Sequence, residues 1–512
     1  MKKKAILIIL DGFGEGEKNN SNAIYLAKTP FIDNLKKNYS TSLLEAGGGA
    51  VGVLPGQTGG SDIGHNTIGA GKVVRQAIKV IYDAVQDQTF FKNEKLLKAI
   101  NHAKKNNSNL HLFGIGADSY IHAYLPFLYS LLDLLVKENF QSSKVFLHLA
   151  ADGRDNPPQS GLKFFTEIEK ECQKRKMGVI ASIFGRFYLD RGKNWERTEK
   201  IYNLLTDKNQ KYISDWKNYF QKNYKNNITD EFFEPIAVGD EEIFSRIKDN
   251  DAVINFCYRA DRERQITEAL TATSFTNFTR RVDIKNLSYV GFIQYAKFLD
   301  KADYAFTEDQ ASICLSEVLE QNGLRQMHIA GREKIIFVTY NLNRCQDLNL
   351  SLETDLIADQ TKEVDNFEKN PEMSAPNITK NMLKSLKNKD QDVYIINYEN
   401  CDQVGHTGNM TATIKAVEAV DKSLSEIIPV ALENDFEILI TADHGNADQM
   451  KDDTGHSQTA HSANKVPCIF ISEKNKHFKL KNGELSDIAP TFLKILDIRP
   501  PQEMTGKNLL DF

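Results

Sequence analysis

Short apolar runs alternate with longer amphipathic stretches along this chain, and the alternation limits the folds open to it. The runs are AILIIL from Ala5, LHLFGI from Leu110, KVFLHLA from Lys144, GVIASIF from Gly178, AVINFCY from Ala252, KIIFVTY from Lys334, DVYIINY from Asp392 and EILITA from Glu437. Runs of this length suit strands, and stretches such as TATIKAVEAVDKSLSEII have the period of helices. The pattern predicts βα units around a mostly parallel sheet, which is an α/β fold.

The length and composition exclude several other classes of protein. With 512 residues the chain can form two or more domains, and its 41% hydrophobic and 26% charged residues are those of an ordinary globular protein. The formal net charge of −5 gives no electrostatic reason to expect nucleic acid or an anionic membrane as a partner. We therefore expect a small-molecule partner, with no nucleic acid and no membrane.

The N-terminal stretch and the cysteines fit a cytoplasmic protein. MKKKAILIILDGFG is basic and then apolar, but its apolar run is short, meets Asp11 and lacks a small-residue cleavage site. It therefore predicts a buried first strand. No apolar stretch is long enough to span a bilayer. The six cysteines form no C-x-x-C pair, which predicts neither a disulfide framework nor a thiolate metal site.

Side chains that can perform chemistry follow the predicted strands unevenly. In open parallel sheets, functional groups gather beyond the carboxyl ends of the strands. Near the two ends of the chain, these groups are carboxylates and imidazoles: Asp11, Asp402, His406, Asp443, His444 and His461. In the middle of the chain, they are mostly arginines: Arg154, Asp155, Arg186, Arg191, Arg259 and Arg262. Metal-type groups thus flank a block of anion-binding groups.

The carboxylates and imidazoles are candidate metal ligands. Without thiolates, such a set suits Mn, Zn, Fe or Mg in a two-metal arrangement. Asp402 and His406 are four residues apart and can share one face of a helical turn, while Asp443 and His444 can both reach ions from an irregular turn. Taken singly, each motif also has a plainer interpretation. ADHGNAD and DGRDNPP are rich in turn formers, and RADRER could begin a solvated helix.

A candidate nucleophile lies in the glycine-rich stretch GQTGGSDIGHNTIGAGK, from Gly56 to Lys72. Its glycines let the backbone turn sharply and expose the hydroxyl of Ser61. The stretch matches neither the G-x-S-x-G pattern nor the P-loop pattern, which argues against Ser-His-Asp hydrolysis and nucleotide binding. A metal-bound serine can ionise without a histidine base, because a dication stabilises the alkoxide. A flexible glycine loop without function is the alternative.

Together, these and further motifs carry a resemblance to a known family. The stretches are ILDGFG, NAIYLAKTPFID, SDIGHNTIGAG, DGRDNPP, GRFYLDR, RADR, the pair Glu333 and Lys334, PEMSA, DQVGHTG, TADHGNADQM, TAHS, DIAPT and EMTGK. In this order, the chain resembles the cofactor-independent phosphoglycerate mutases of the alkaline phosphatase superfamily along essentially its whole length. The resemblance is specific because it rests on the whole series of motifs.

The resemblance implies a discontinuous arrangement of domains. It predicts an alkaline-phosphatase-like, metal-binding domain with a mostly parallel sheet, formed by residues 1–75 and 309–512. An α/β phosphotransferase domain that binds substrate, residues 76–308, is inserted between these two segments. The arrangement would explain why metal-type residues flank the arginines. Two linkers would then act as hinges that open for substrate and close around the reaction.

The resemblance also implies a reaction and a metal centre. The family interconverts 3-phosphoglycerate and 2-phosphoglycerate in glycolysis and gluconeogenesis, through a phosphoserine and without 2,3-bisphosphoglycerate. It usually uses two Mn²⁺ ions, although other divalent metals fit such ligands. By position, one ion is held by Asp402, His406 and His461, and the other by Asp11, Ser61, Asp443 and His444. Ser61 is then the nucleophile, and Lys334 stabilises charge on the transferring phosphoryl group.

The arginine block corresponds to the family's substrate site. The residues that match it are His122, Arg154, Asp155, Arg186, Arg191, Arg259 and Arg262, together with Lys334. Guanidinium groups suit the carboxylate and phosphate of a small trianion. Asp155 matches the proposed acid and base for the glycerate hydroxyls, and His122 matches a histidine that contacts the phosphate. We expect a monomer.

Three functions remain open from the sequence. The mutase is favoured because both the metal set and the arginine set match. A related metal-dependent phosphatase or another phosphomutase would release free phosphate or a different product. A non-catalytic phosphoacid-binding protein is the third, because Gly60 replaces the usual Asn, ADSYIHAY surrounds His122, and IIFVTYNLNR follows Lys334 in place of the usual YPHVTFFFSGG.

Overall fold

The structure is a computed structural model that describes residues 3–239, 246–452 and 454–511. Its chain forms two compact units. Unit 1 comprises Met1–Gln76 together with Asp309–Phe512, and unit 2 comprises Ala77–Glu308. Among the described residues, no helix is long and apolar enough to cross a membrane.

Strands occur in both units and are numbered in chain order. They are Lys4–Leu10 (β1), Ser40–Glu45 (β2), Leu110–Ile115 (β3), Val145–Ala151 (β4), Val179–Gly185 (β5), Tyr212–Ile213 (β6), Ile236–Val238 (β7), Ala252–Asn255 (β8), Ser288–Gly291 (β9), Asp303–Tyr304 (β10), Gln326–Gly331 (β11), Glu353–Ala358 (β12), Val393–Tyr398 (β13), Phe436–Thr441 (β14), Val466–Ile471 (β15), Lys479–Leu480 (β16), Gly483–Glu484 (β17) and Leu510–Asp511 (β18).

The α-helices are numbered in the same way. They are Ala23–Leu26 (α1), Pro30–Asn38 (α2), Ser61–Ala70 (α3), Ala77–Gln86 (α4), Glu94–Asn106 (α5), Leu125–Lys137 (α6), Gly161–Arg175 (α7), Trp195–Thr206 (α8), Trp216–Lys225 (α9), Arg264–Thr271 (α10), Leu315–Gln321 (α11), Ala375–Asn388 (α12), Asn400–Gly405 (α13), Met410–Glu433 (α14) and Ile488–Ile495 (α15).

Unit 1 is built on a mixed sheet whose described strands lie in the order β12-β11-β13-β1-β14-β15-β2-β17. The strands from β12 to β14 in this order are mutually parallel, and β15 is antiparallel to both of its neighbours. The strands β1, β13 and β15 are buried along almost their whole length, as the apolar runs require. Because β1 lies between β13 and β14, the carboxyl ends of these three strands meet at one edge of the sheet.

Unit 2 has its own sheet, with described strands in the order β10-β9-β8-β3-β4-β5-β7-β6. The strands from β10 to β5 in this order are parallel, and β7 pairs with β5 in the antiparallel direction. The central strands β3 and β4 are fully buried. The prediction of an α/β fold with mostly parallel sheets is therefore confirmed.

Seven of the eight predicted strands are present. The prediction of a strand for the run that begins at Lys334 is wrong. The strand lies earlier, at Gln326–Gly331, and Phe337–Asn341 is a π-helix. Val338 and Leu342 are buried while Ile336 is exposed, which is helical spacing. IIFVTY was predicted as a strand because β-branched and aromatic residues are common in strands. In the structure, these residues pack one face of the helical segment. The predicted helix TATIKAVEAVDKSLSEII is confirmed as part of α14.

Candidate active site

Three carboxylates lie at the edge where β1, β13 and β14 end. Asp11 directly follows β1, Asp443 lies two residues after β14, and Asp402 lies in α13, which begins soon after β13. All three side chains are buried. The parallel register of these strands brings together groups that are far apart in the sequence, as expected for an open α/β sheet.

The Ser61 hydroxyl contacts three side chains near this edge of the sheet. Ser61 Oγ donates to Asp11 Oδ1 at 3.2 Å, accepts from Lys334 Nζ at 2.7 Å, and lies 3.0 Å from His444 Nε2. Ser61 is the first residue of α3, so the glycine-rich stretch leads into a helix and is not a free loop. At this position, the partial positive charge of the helix N-terminus favours a negatively charged group.

Glycine at position 64 lets α3 approach Asp443 closely. A Cβ atom on Gly64 would lie 2.7 Å from the Asp443 carbonyl oxygen and 2.9 Å from its Cβ. Those distances are shorter than van der Waals contact, so only glycine fits without displacing the helix or the carboxylate. The position of Ser61 therefore depends on this contact.

Lys334 places a buried cation among the carboxylates. Its side chain is 2% exposed, and Nζ donates to Asp11 Oδ1 at 2.9 Å and to Asp402 Oδ2 at 2.7 Å. Burial acts to lower the pKa of Lys334, but the charges of Asp11 and Asp402 outweigh it and raise the pKa above its usual value. The ammonium group is therefore charged at neutral pH.

Asp402, His406 and His461 form the first candidate ligand group. Asp402 Oδ1 lies 3.1 Å from His406 Nε2 and 3.3 Å from His461 Nε2, and the two Nε2 atoms are 3.1 Å apart. Each Nδ1 faces a backbone carbonyl, that of Thr459 at 2.6 Å and that of Gly59 at 2.9 Å. Because Nδ1–H donates to the carbonyl, each Nε2 presents a lone pair to the same point as Asp402.

Asp11, Asp443 and His444 form the second candidate ligand group. One ligand atom from each residue lies within 4.8 Å of the others. Asp443 Oδ1 accepts from the backbone of Gly12 and His444 at 3.3 and 3.0 Å, whereas its buried Oδ2 has no hydrogen-bond partner among the described residues. His444 Nε2 is 3.4 Å from that oxygen and 3.5 Å from Asp11 Oδ1.

The charge balance of the two groups fits divalent cations. Burial raises the pKa of Asp11, and the neighbouring Asp443 charge raises it further. Burial also opposes ionisation of Asp443, yet the imidazoles of His444 and His65 and the charge of Lys334 hold its pKa below the usual range. Lys334 contacts Asp11 and Asp402, and Asp402 also raises the pKa of His406 and of His461, so the buried carboxylates favour positive charge at this edge. Oxygen and imidazole donors without thiolates suit Mn, Zn, Fe or Mg.

A separate cluster in unit 2 is organised by Arg186. This guanidinium is buried, and its Nη1 donates to Asp152 Oδ1 and, at 2.5 Å, to Asp155 Oδ2. Asp155 follows β4 and Arg186 follows β5, so parallel strands again bring the groups together. Burial acts to lower the pKa of Arg186, but the charges and hydrogen bonds of Asp152 and Asp155 raise it. Two carboxylates therefore fix this guanidinium.

His122 lies between carboxylates and arginines of the same cluster. Its Nε2 is 3.8 Å from Asp155 Oδ2, and its Nδ1 is 3.7 Å from Asp261 Oδ1. Burial, together with the positive charges of Arg186, Arg259 and Arg262, lowers the pKa of His122 to about 3. The imidazole is therefore neutral at physiological pH.

The other arginines differ in how firmly they are held. Arg262 is buried, and its Nη1 donates to the carbonyls of Arg186 and Leu189 at 3.1 and 3.0 Å. The exposed Arg191 donates to Asp261 Oδ2 at 2.9 Å, and the exposed Arg259 lies 3.7 Å from Asp261 Oδ1. These exposed guanidiniums are free to reach a ligand.

Arg154 pairs with a different acidic residue from the other arginines. Its half-exposed guanidinium donates to Glu231 Oε1 at 3.4 Å, a long contact. The structure thus brings His122, Asp155, Arg186, Arg191, Arg259 and Arg262 into one connected group, and it holds Arg154 through Glu231 at the margin.

Several residues of these sites escaped the sequence analysis. Asp261 lies inside the quoted RADRER motif, and its position among arginines was a usable signal. Asp152 likewise opens DGRDNPP. His65 and Asn397 are fully buried and contact the Ser61 backbone and Asp11, respectively. No sequence signal distinguished them, because one lies within a helix and the other within an apolar strand.

Comparisons with known proteins indicate one family. A family model described as the Metalloenzyme superfamily matches residues 3–500. The chain is 40% identical over 512 residues to a 2,3-bisphosphoglycerate-independent phosphoglycerate mutase of Clostridium beijerinckii, covering 99% of each chain. It is 41% identical over 515 residues to the corresponding mutase 1 of Methanosarcina barkeri, covering 99% of this chain and 98% of the relative.

A solved structure agrees with these sequence comparisons. The chain is similar to a phosphoglycerate mutase of Leishmania mexicana studied at low cobalt concentration. That comparison has a TM-score of 0.67 and 27% identity, and it covers 100% of this chain and 98% of that one.

Proposed function

Since the chain belongs to the 2,3-bisphosphoglycerate-independent phosphoglycerate mutases of the metalloenzyme superfamily, we propose that it transfers the phosphoryl group through a phosphoserine at Ser61. The reaction of the family interconverts 3-phosphoglycerate and 2-phosphoglycerate. One observation carries the proposal: a single serine hydroxyl at a helix N-terminus contacts Asp11, His444 and Lys334 at once. Such surroundings stabilise an alkoxide and attract a phosphate.

The proposed reaction consists of two half-transfers. Ser61 Oγ first loses its proton and then attacks the phosphorus of 3-phosphoglycerate as an alkoxide, and the bond between phosphorus and the C3 oxygen breaks. The C3 oxygen takes a proton and leaves free glycerate beside the phosphoserine. After the glycerate turns, its C2 hydroxyl loses a proton and attacks the phosphoserine, which regenerates Ser61. Atoms and charge balance, because the proton gained in the first half is released in the second.

The metal centre is proposed to hold two Mn²⁺ ions. Asp402, His406 and His461 would hold one, and Asp11, Ser61, Asp443 and His444 would hold the other. A divalent cation bound there lowers the pKa of the Ser61 hydroxyl and offsets charge on the transferring phosphoryl oxygens. The unpartnered Oδ2 of Asp443 and the paired Nε2 atoms of His406 and His461 support this assignment.

Lys334 is proposed to serve the phosphoryl group directly. Its Nζ lies 2.7 Å from Ser61 Oγ, so it is in reach of a phosphate attached to that oxygen. The raised pKa of Lys334 keeps it charged during the reaction. A fixed cation beside developing negative charge lowers the barrier without reorganisation of solvent.

The arginine cluster of unit 2 is proposed to bind the phosphoglycerate trianion. Arg154, Arg191 and Arg259 offer exposed guanidiniums, whereas Arg186 and Arg262 are fixed by neighbouring groups. The lowered pKa of His122 leaves a neutral imidazole that can donate one hydrogen bond to a phosphate. Holding glycerate between the half-transfers distinguishes a mutase from a phosphatase.

Asp155 is proposed to carry the proton between the two hydroxyls of glycerate. Its Oδ2 is bound by Arg186 at 2.5 Å, which fixes the direction of the carboxylate. As a carboxylate, it can take the proton of one hydroxyl and return it to the other oxygen. We also propose that the protein is a cytoplasmic monomer that works in glycolysis and gluconeogenesis.

The test is the conversion of 3-phosphoglycerate by the purified protein without 2,3-bisphosphoglycerate. We expect 2-phosphoglycerate to form with Mn²⁺ and not with a chelator. Ser61→Ala should lower kcat by at least about a thousandfold, because it removes the nucleophile. Mass spectrometry of the acid-quenched parent should find a phosphate on the peptide that contains Ser61.

The matched control is Ser423→Ala, which removes a buried hydroxyl from α14 in the same unit. It should leave kcat near the parent value. Free phosphate as the main product would replace the mutase proposal with a phosphatase. Binding of Mn²⁺ and 3-phosphoglycerate without turnover would replace it with a binding protein.

A further inference from the structure

Two buried residues, Asn397 of β13 and His65 of α3, connect the groups of the candidate metal centre from behind. Asn397 Nδ2 donates to Asp11 Oδ2 at 2.8 Å and lies 3.0 Å from His65 Nε2. His65 Nδ1 lies 2.8 Å from the Ser61 carbonyl oxygen and 3.2 Å from Asp443 Oδ2. Both side chains are fully buried.

The Asp11 carboxylate favours one orientation of the Asn397 amide. Its Nδ2 carries two hydrogens and no lone pair, so it can donate to two acceptors. One acceptor is the Asp11 carboxylate. With the amide turned over, its oxygen would face that carboxylate and lose the hydrogen bond. The second hydrogen then lies toward His65 Nε2, 3.0 Å away, while Asn397 Oδ1 has no hydrogen-bond partner among the described residues.

The two ring nitrogens of His65 have different neighbours. Nε2 faces the Asn397 amide, and Nδ1 faces the Ser61 carbonyl oxygen, to which an Nδ1–H group can donate. Nδ1 also lies 3.2 Å from Asp443 Oδ2, so the ring contacts a second candidate ligand residue. A chain of contacts thus runs from Asn397 through His65 to Ser61 and Asp443.

These contacts hold Asp11 and the first turn of α3 in place. Asp11 Oδ2 is held by Asn397, which leaves Oδ1 facing Ser61, Lys334 and His444. The Ser61 carbonyl belongs to the first turn of α3, and the side chain of His65 clamps that turn. We propose that Asn397 and His65 are positioning residues, which set the Ser61 hydroxyl and the Asp11 carboxylate in register for metal and phosphate. The inference rests on the proposed function of Ser61.

A second buried histidine of unit 1 lies outside the two candidate ligand groups and provides a control for kcat. His328 of β11 lies 2.7 Å from the Val338 carbonyl oxygen and 3.1 Å from Gln326 Oε1. It is as buried as His65 and belongs to neither candidate ligand group, although with Glu353 and Asp355 it forms a separate cluster that could hold a cation. His328→Leu is therefore a matched control for the loss of a buried imidazole.

The experiment compares His65→Leu, His65→Asn and His65→Gln with the parent and with His328→Leu. Manganese affinity is measured by calorimetric titration of metal-stripped protein. The values of kcat and KM are measured separately, with 3-phosphoglycerate as the substrate. Removing a partner of a metal ligand typically costs about 10–100-fold in affinity or activity. We expect a loss of that size in both Mn²⁺ affinity and kcat for His65→Leu, with KM changed by less than about threefold because substrate binding is untouched.

The two amide variants separate positioning from filling of space. Asparagine places its Nδ2 near the original Nδ1 and keeps the bond to the Ser61 carbonyl, whereas glutamine places its amide near the original Nε2. We therefore expect a higher kcat for His65→Asn than for His65→Gln. This comparison tests whether His65 positions Ser61 or only fills space, even if His65→Leu does not fold.

Three results would overturn the inference. They are a His65→Leu protein with parental kcat and Mn²⁺ affinity, a His328→Leu protein whose kcat falls as far as that of His65→Leu, and a His65→Gln protein whose kcat equals or exceeds that of His65→Asn. If the parent itself does not convert 3-phosphoglycerate, the proposed function fails, and the Mn²⁺ affinities still decide the positioning role.

Discussion

Among single residues, His122 shows how surrounding charge determines chemical state. Its imidazole is buried against Asp155 and Asp261, and nearby arginines disfavour its protonated form. A neutral imidazole can donate one hydrogen bond without adding to the positive charge of the cluster. Protonation of the His122 imidazole is therefore unfavourable in the folded protein.

The resulting pH dependence can be measured. His122 has a pKa of about 3 in the folded protein against 6.5 for an ordinary histidine, so between these values the unfolded chain binds a proton that the folded chain does not. Stability should therefore fall as the pH falls from 6.5 towards 3 and should not depend on this group above 6.5. Between pH 7.5 and pH 5, we expect His122→Gln to lose about 2 kcal/mol less than the parent in urea unfolding.

Parallel stability curves for the parent and His122→Gln would contradict this prediction. The comparison is a difference between two proteins at each pH, so contributions of other titrating groups cancel. Circular dichroism at each pH checks that both proteins begin from the folded state.

The sequence predicted the polar groups at strand ends better than those inside elements. Asp402 and His406 are four residues apart on α13 and its cap, and spacing alone indicated that they share a face. Asn397 and His65 could not be found in this way. Their importance depends on which residues the sheet brings together, and that is set by strand order.

At the scale of elements, helix α3 and the end of β14 depend on a close approach at Gly64. We expect Gly64→Ala to displace the N-terminus of α3, because its Cβ would meet the Asp443 backbone at 2.7 Å. Overpacking of this kind typically costs about 1–3 kcal/mol, which exceeds the gain of about 1 kcal/mol in helix propensity. Urea unfolding should show the net loss, and kcat should fall by at least about tenfold.

Gly49→Ala is the matched control for this change. A Cβ atom at Gly49 would meet no heavy atom within 4 Å. The variant should keep the parental kcat. A Gly64→Ala protein with parental kcat would show that the position of α3 tolerates displacement.

Predicting elements from the sequence succeeded where the apolar runs were fully buried. AILIIL and DVYIINY are central strands, and their residues are buried on both faces. The method failed at KIIFVTY, where β-branched residues pack one face of a π-helix. QMHIAG was overlooked, because its buried Gln326 and His328 interrupt the apolar pattern while bonding to neighbouring groups.

At the scale of the whole molecule, metal should stabilise unit 1 and not unit 2. The candidate ligands all lie in unit 1, where three buried carboxylates share the ammonium of Lys334. A cation at a hundred times its dissociation constant stabilises the folded state by about 2.7 kcal/mol. On removal of metal, we expect faster hydrogen exchange in peptides that contain Asp11, Ser61, Asp402 and Asp443.

Mass spectrometry of amide exchange, with Mn²⁺ or with a chelator, measures this effect peptide by peptide. Peptides from Ala77–Glu308 serve as the internal control and should exchange equally fast in both conditions. Equal exchange throughout unit 1 would contradict metal binding at these ligands. A change confined to unit 2 would place the metal elsewhere.

The position of β1 at the centre of the sheet of unit 1 also matters while the chain is being synthesised. Its neighbours β13 and β14 begin only at Val393 and Phe436, after the whole of unit 2 has been translated. At about 5–20 residues per second, a ribosome needs roughly 20–80 s to reach β13 after releasing β1. During that interval, AILIIL is an apolar segment without its native partners. The sheet of unit 1 can therefore be completed around β1 only when translation approaches its end.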